Sequence, residues 1–266
     1  MTPANEGSTS LPANPPAGPT TAKTVGVLGG MGPKATLGFL ARVLELTPAK
    51  REQDHLRMIV DQNPRVPDRN LAQAGHGPRP GPVLAEMARG LERHGADFVV
   101  MPCNTAHVYA PSIREALSIP FIDMIDATVN RVGALGVRRV GLLTTRACHE
   151  TALYPKALQA LELEPMALPD DEFSSLMDAI YQIKKGALDP ARRTVHALSL
   201  WLVERGAEAL LSGCTELPLV LRPDDCSVPL VDSSDTLARV TVSAALSLDG
   251  ALSSSSGGTS PGADVG

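Results

Sequence analysis

Leu91-Glu92-Arg93-His94-Gly95-Ala96-Asp97 and Leu202-Val203-Glu204-Arg205-Gly206-Ala207-Glu208 are two versions of one text. Each leads through a buried-strand run to a cysteine, Cys103 or Cys214, eight residues after its glycine. The correspondence extends outward: Pro120-Phe121-Ile122-Asp123 answers Pro229-Leu230-Val231-Asp232, and Val25-Gly26-Val27-Leu28 answers Val140-Gly141-Leu142-Leu143. A repeat of about one hundred residues has the size of a whole domain, well beyond a solenoid unit.

Between the copies, β-branched runs at 25–28, 57–61, 97–101, 139–143 and 208–212 read as strands, each followed by a helix-like pattern. That alternation predicts an α/β chain of two pseudosymmetric lobes, each a parallel sheet flanked by helices. The first lobe is expected to hold residues 24–121 plus 230–250, with a last helix, Ser234 to Leu248, returning to it; the second is expected to hold 122–229. Residues 1–23 and 251–266, dominated by small and polar residues, read as disordered tails. Ligands of open parallel sheets bind beyond the carboxyl ends of the strands, where each copy puts its cysteine, so the site is expected in the cleft between the lobes.

The 266 residues carry 24 Lys and Arg against 29 Asp and Glu, a formal charge of -5. This gives no bulk attraction to nucleic acid or anionic lipid. No apolar run approaches the ~18 residues of a membrane span, and the first residues lack a secretory signal's basic start and apolar stretch, so the chain reads as cytoplasmic. Four cysteines are too sparse for a disulfide framework and default to free thiols.

Pro102-Cys103-Asn104-Thr105 follows a strand and precedes a helical stretch, Val108 to Leu117; Gly213-Cys214-Thr215-Glu216 has the same setting in the second copy. Each thiol is thus expected near a helix N-terminus, whose free N–H groups lower a thiol's pKa and can hold an anion. A single free cysteine is commonly a small core residue. Two at equivalent positions of facing lobes, with Asn-Thr or Thr-Glu neighbours, suit a two-base proton transfer with inversion at carbon.

Val25-Gly26-Val27-Leu28-Gly29-Gly30-Met31-Gly32-Pro33, Asn63-Pro64-Arg65-Val66-Pro67-Asp68-Arg69, Met101-Pro102-Cys103-Asn104-Thr105-Ala106-His107 and Gly213-Cys214-Thr215-Glu216 together resemble the cofactor-independent aspartate/glutamate racemase family, close to its aspartate racemases. The resemblance spans about residues 24–248. It implies a PLP-independent racemase of acidic amino acids, commonly a homodimer, with Cys103 and Cys214 as the acid/base thiols. By the same resemblance Asn104, Thr105 and Thr215 hold the α-carboxylate and amino group, Arg69 and Lys185, with the adjacent Lys184 as the alternative, face the side-chain carboxylate, and Thr145 and Met31 line the cleft. Thr144-Thr145-Arg146-Ala147-Cys148 departs from the family's Thr-rich, Gly-containing text: Thr145 fits, Arg146 and Cys148 do not.

The other candidates carry less. Gly29-Gly30-Met31-Gly32-Pro33 lacks the Gly-x-Gly-x-x-Gly and Gly-Lys-Ser/Thr forms of nucleotide loops and reads as a tight turn lining the cleft. Cys103 and His107 stand four apart without a second pair at zinc spacing, so no metal is expected, and His107 reads as a satisfied polar residue or a partner that helps ionise Cys103. Cys148 and Cys226 lack counterparts in the other copy; Arg192-Arg193 reads as a solvated helix face. Glutamate or broad amino-acid racemisation on the same scaffold, and non-catalytic binding of acidic amino acids, stay open beside aspartate racemisation.

Overall fold

The computed structural model describes residues 22–247. In chain order its elements are β1 (Val25–Gly29), α1 (Pro33–Leu46), β2 (Met58–Gln62), α2 (Arg69–Gln73), α3 (Gly81–Arg93), β3 (Phe98–Val100), α4 (Ala110–Ala116), β4 (Phe121–Ile122) and α5 (Met124–Gly133). The second copy follows with β5 (Arg139–Thr144), α6 (Arg146–Glu150), α7 (Leu153–Gln159), β6 (Glu164–Met166), α8 (Asp170–Lys184), α9 (Leu188–Glu204), β7 (Ala209–Gly213), β8 (Leu230–Asp232) and α10 (Ser233–Leu246). One parallel sheet has the order β2-β1-β3-β4 and the other β6-β5-β7-β8, so the strand order repeats with the sequence. Every residue of β1 and β7 is buried, as helices on both faces of a parallel sheet require.

The repeated text has a mechanical meaning. Helices α3 and α9 both stop at a glycine in the left-handed region, Gly95 at φ +90° and Gly206 at φ +96°. Gly95 N–H donates to the Glu92 carbonyl at 2.9 Å and Ala96 N–H to that of Leu91 at 3.1 Å; Gly206 and Ala207 repeat the pattern onto Val203 and Leu202 at 2.8 and 3.0 Å. This paired closure satisfies the last carbonyls of a helix and needs a residue without a Cβ. The leucine and alanine on either side of the stop then press on bare backbone of the neighbouring strand. A Cβ added at Gly26 would stand 2.9 Å from Ala96 Cβ and 3.2 Å from Leu91 Cβ; one at Gly141 would stand 3.1 Å from both Leu202 Cβ and Ala207 Cβ.

The lobes exchange their last helices. After β4, α5 buries Ile125, Val129 and Val132 with Val140, Leu142 and Leu211 of the second sheet. After β8, α10 buries Leu237, Ala238 and Val242 with Val25, Val27, Phe98 and Val100 of the first. The expected boundaries shift accordingly. Ile122 pairs with Val100 and Asp232 with Ser212, so residue 122 belongs to the first sheet and residues 230–232 to the second, and the return to the first lobe begins only at Ser233. The helix expected at Val108 to Leu117 opens as a 3-10 turn over Thr105–Tyr109 before α4. Of the two expected tails only Ala22 and Lys23 are described, and Lys23 N–H bonds the Ala245 carbonyl of α10 at 2.9 Å, so ordered chain starts before residue 24; the remainder of both tails lies outside the described residues. No described helix is long and apolar enough to cross a membrane.

Because the space at Gly141 is filled by the Cβ atoms of Leu202 and Ala207 and by Leu210 Cδ2 at 2.8 Å, Gly141→Ala is expected to cost about 1–3 kcal/mol of unfolding free energy. Urea titration measures it. An unchanged midpoint would mean that α9 and β5 do not approach so closely.

Candidate active site

Both thiols sit where a central strand ends. Met101-Pro102 carries the chain from β3 to Cys103, and Cys214 follows β7 directly; β3 and β7 occupy equivalent places in their sheets. The two cysteines, 5% and 3% exposed, line one cavity of about 10 Å³, room for little more than a water molecule. Met31, Arg69, Asn104, Thr105, Thr145 and Thr215, singled out in the sequence, line it too. So do Asn70 and Glu216, which had been given no role, and Lys184, the alternative to Lys185.

Lys185 does not line this cavity. It is the exposed C-cap of α8, and Lys184, one residue earlier, faces the site instead, with Nζ 5.5 Å from the Tyr181 ring. Both lysines are exposed, and the roughly 100° between neighbouring helical residues leaves Lys184 alone on the cavity. Arg146 also turns away: its guanidinium stacks 4.9 Å from the Phe173 ring, near Glu150, and its side chain is 43% exposed.

Cys214 differs from its expectation. Behind it stands only a three-residue 3-10 turn, Leu217–Leu219, too short for a substantial helix field. Its Sγ donates to Glu216 Oε2 at 3.2 Å, and Thr215 Oγ1 donates to the same oxygen at 3.4 Å. Burial first, then the neighbouring Glu216 carboxylate, push the Cys214 thiol well above the ordinary thiol range, opposite to the lowering expected from a helix end.

His107 is spoken for. Met124 N–H donates to Nε2 at 3.0 Å, so the proton sits on Nδ1, which donates to the Cys103 carbonyl at 2.8 Å. Full burial lowers its pKa further, which holds the ring neutral. With both nitrogens engaged, it acts on the backbone of Cys103 and is not a base for the thiol.

Polar bonds across the lobes close the site. Asn104 accepts from the Tyr154 hydroxyl of α7 through Oδ1 and donates through Nδ2 to Ser233 Oγ of α10 at 2.9 Å. Thr105 and Thr145 hydroxyls bond each other at 2.8 Å, and Asn70 Oδ1 accepts from Ala147 N–H at 3.2 Å. Cys148 packs behind this pair, 4.0 Å from Thr105 Oγ1, with its thiol pushed up to about 12 by burial. Arg69 opens α2, which Asp68 caps by accepting from Asn70 and Leu71 N–H, both at 2.9 Å. Its Nη1 donates to the Pro67 carbonyl at 3.2 Å, its buried Nε has no partner, and no carboxylate pairs with it among the described residues. Met31 enters from the turn after β1, where Gly30 at φ +96° packs so closely on the Asn63 backbone that a Cβ would stand 2.4 Å away. Among the described residues no group of three or more His, Cys, Asp and Glu side chains could hold a metal ion.

Comparison with known proteins places this geometry. The chain is 29% identical over 230 residues to the broad specificity amino-acid racemase RacX of Bacillus subtilis, covering 82% of this chain and 96% of the relative. The Picrophilus torridus aspartate racemase superposes with a TM-score of 0.77 at 30% identity, over 84% of this chain and 94% of that one. A glutamate racemase of Francisella tularensis, solved with D-glutamate, shares the fold at a TM-score of 0.64 and 19% identity, over 84% and 81% of the two chains. The sequence pattern described as Asp/Glu/Hydantoin racemase matches residues 28–241, and the chain, an amino-acid racemase by its relatives and its fold, belongs to that family.

Proposed function

We propose that this racemase interconverts L- and D-aspartate by proton transfer between Cys103 and Cys214. The observation that carries the reading is the placing of one thiol from each lobe on the walls of a single small cavity that also holds Arg69 and Lys184. Cys103, as thiolate, takes the α-proton from one face, and the Cys214 thiol delivers its proton to the opposite face. One C–H bond breaks as the other forms, with no change of oxidation state. Cys214 suits the donor role because burial and Glu216 keep its proton on sulfur. After turnover Cys214 is the thiolate and Cys103 the thiol, the form that accepts the product enantiomer; exchange with solvent resets the pair.

Asn104, with one amide hydrogen left after its bond to Ser233, and the Thr105, Thr145 and Thr215 hydroxyls hold the α-carboxylate and amino group. The side-chain carboxylate goes to Arg69, whose planar fork and unpartnered Nε suit bidentate binding, with Lys184 as the second cation. A cavity of about 10 Å³ is too small for aspartate, so its walls must move apart to admit the substrate. A broader specificity is the second reading, favoured by the printed activity of the Bacillus subtilis relative. The homodimer implied by the resemblance and the cytoplasmic location read from the sequence go with the proposal.

Cys103→Ala and Cys214→Ala are each expected to abolish racemisation with the melting curve unchanged, because inversion needs an acid and a base together. In deuterium oxide, without added PLP, the wild type should place deuterium at the α-carbon of aspartate as the other enantiomer forms. Either single variant retaining more than a few per cent of turnover would sink the two-thiol mechanism. For specificity, Arg69→Ala should lower kcat/KM for aspartate by roughly 10- to 100-fold more than for alanine, since a charge-assisted bond contributes roughly 1.5–3 kcal/mol. Wild-type turnover of alanine as fast as aspartate would decide for the broad reading. Tyr154→Phe, which leaves Asn104 Oδ1 without its donor, should raise KM for aspartate by roughly tenfold with a smaller change in kcat, at about 1–3 kcal/mol for an unmet buried acceptor. Equal kinetics would show that Asn104 needs no such support.

A further inference from the structure

A second cavity, of about 440 Å³, meets the thiol cavity at Thr215, the residue common to both walls. Its volume falls in the range of about 300–1,000 Å³ typical of small-molecule sites. One wall is the face of α1 carrying Lys34, Gly38 and Arg42; the opposite wall is the segment Pro218–Pro223 that follows Cys214, with α10 closing one side. A molecule seated there touches both lobes.

The charges are unequal. Asp235 accepts from Arg42 Nε at 2.6 Å and from Arg239 Nε at 2.7 Å, and Arg42 also bonds Glu45 at 2.7 Å, so these cations are answered. Asp232 spends its carboxylate capping α10, accepting from Ser234 and Asp235 N–H at 2.6 and 2.9 Å. Lys34 and Arg222 line the same cavity, and neither forms an ion pair among the described residues. Between them lie Pro218, Leu219 and Leu221, with Leu219 44% exposed.

Gly38 leaves the α1 wall bare. It lies inside α1, where glycine weakens a helix relative to alanine, yet a Cβ there would meet nothing within 4 Å. Its bare backbone keeps that wall of the cavity open.

We propose that this cavity binds a small organic anion, a phosphate monoester or carboxylate on an apolar body, with Lys34 and Arg222 on the anionic group and the apolar part over Gly38, Leu219 and Leu221. The site is independent of the reading of the thiol cavity, and its test reads binding rather than turnover. Calorimetric titration with phenyl phosphate and with 3-phenylpropionate is expected to show saturable binding of at least one of them, one per chain, and the tighter of the two names the headgroup. The bound probe should raise Tm, because it binds the folded chain alone. Phenol, which lacks the charge, should not bind at the same concentration. Gly38→Leu, which fills the cavity while strengthening the helix, and Arg222→Glu should each raise Kd by at least about tenfold. Arg69→Ala, in the thiol cavity, should leave Kd unchanged. The proposal is overturned if neither charged probe binds saturably at millimolar concentration, if binding survives Gly38→Leu, or if Arg69→Ala removes it.

Discussion

The exchange of α5 and α10 between the lobes is the constraint on which the site depends. Neither sheet completes its own hydrophobic cover: Val25 and Val100 of the first are packed by Leu237 and Val242 from the end of the second, and Val140 and Leu211 of the second by Val129 from the end of the first. Apolar burial at roughly 25 cal/mol per Å² therefore ties the orientation of one lobe to the other's stability. Strand ends that would otherwise face solvent independently are held toward each other, and each brings a thiol. Ser233, the first residue of α10, shows how directly the exchange reaches the chemistry, since its hydroxyl takes the bond from Asn104, next to Cys103.

Within that frame the two thiols have unlike surroundings. Cys214 has a glutamate at hydrogen-bond distance and almost no helix behind it. Cys103 has an asparagine held at both ends and a neutral histidine fastening its carbonyl. The duplication thus supplied a matched pair of positions, and local sequence made them chemically distinct.

The two lobes were legible because the repeat is carried by residues with strict geometric duties: the left-handed Gly95 and Gly206, and the leucine and alanine that touch Gly26 and Gly141. Lobe boundaries were less so, since β4 and β8 have two and three residues and no periodicity to read. Lys184 and Lys185 are separated only by helical phase, which an error of one residue inverts. The partners of Asn104 lie 50 and 129 residues away in the chain, a distance at which no local pattern signals contact. Glu216 stood in plain view beside Cys214, but its effect on the thiol follows from burial, which the sequence does not display.

The unlike neighbours of the thiols have a thermodynamic consequence. The D and L forms of an amino acid have equal free energy in an achiral solvent, so a racemase's kcat/KM must be the same in the two directions. If the two thiols act as proposed, any advantage that Glu216 confers on attack from one face can therefore appear only as compensated changes, a larger kcat matched by a larger KM for the same enantiomer. On the proposed mechanism the asymmetry at Cys214 cannot drive the reaction either way; it selects which enantiomer the resting enzyme holds more tightly.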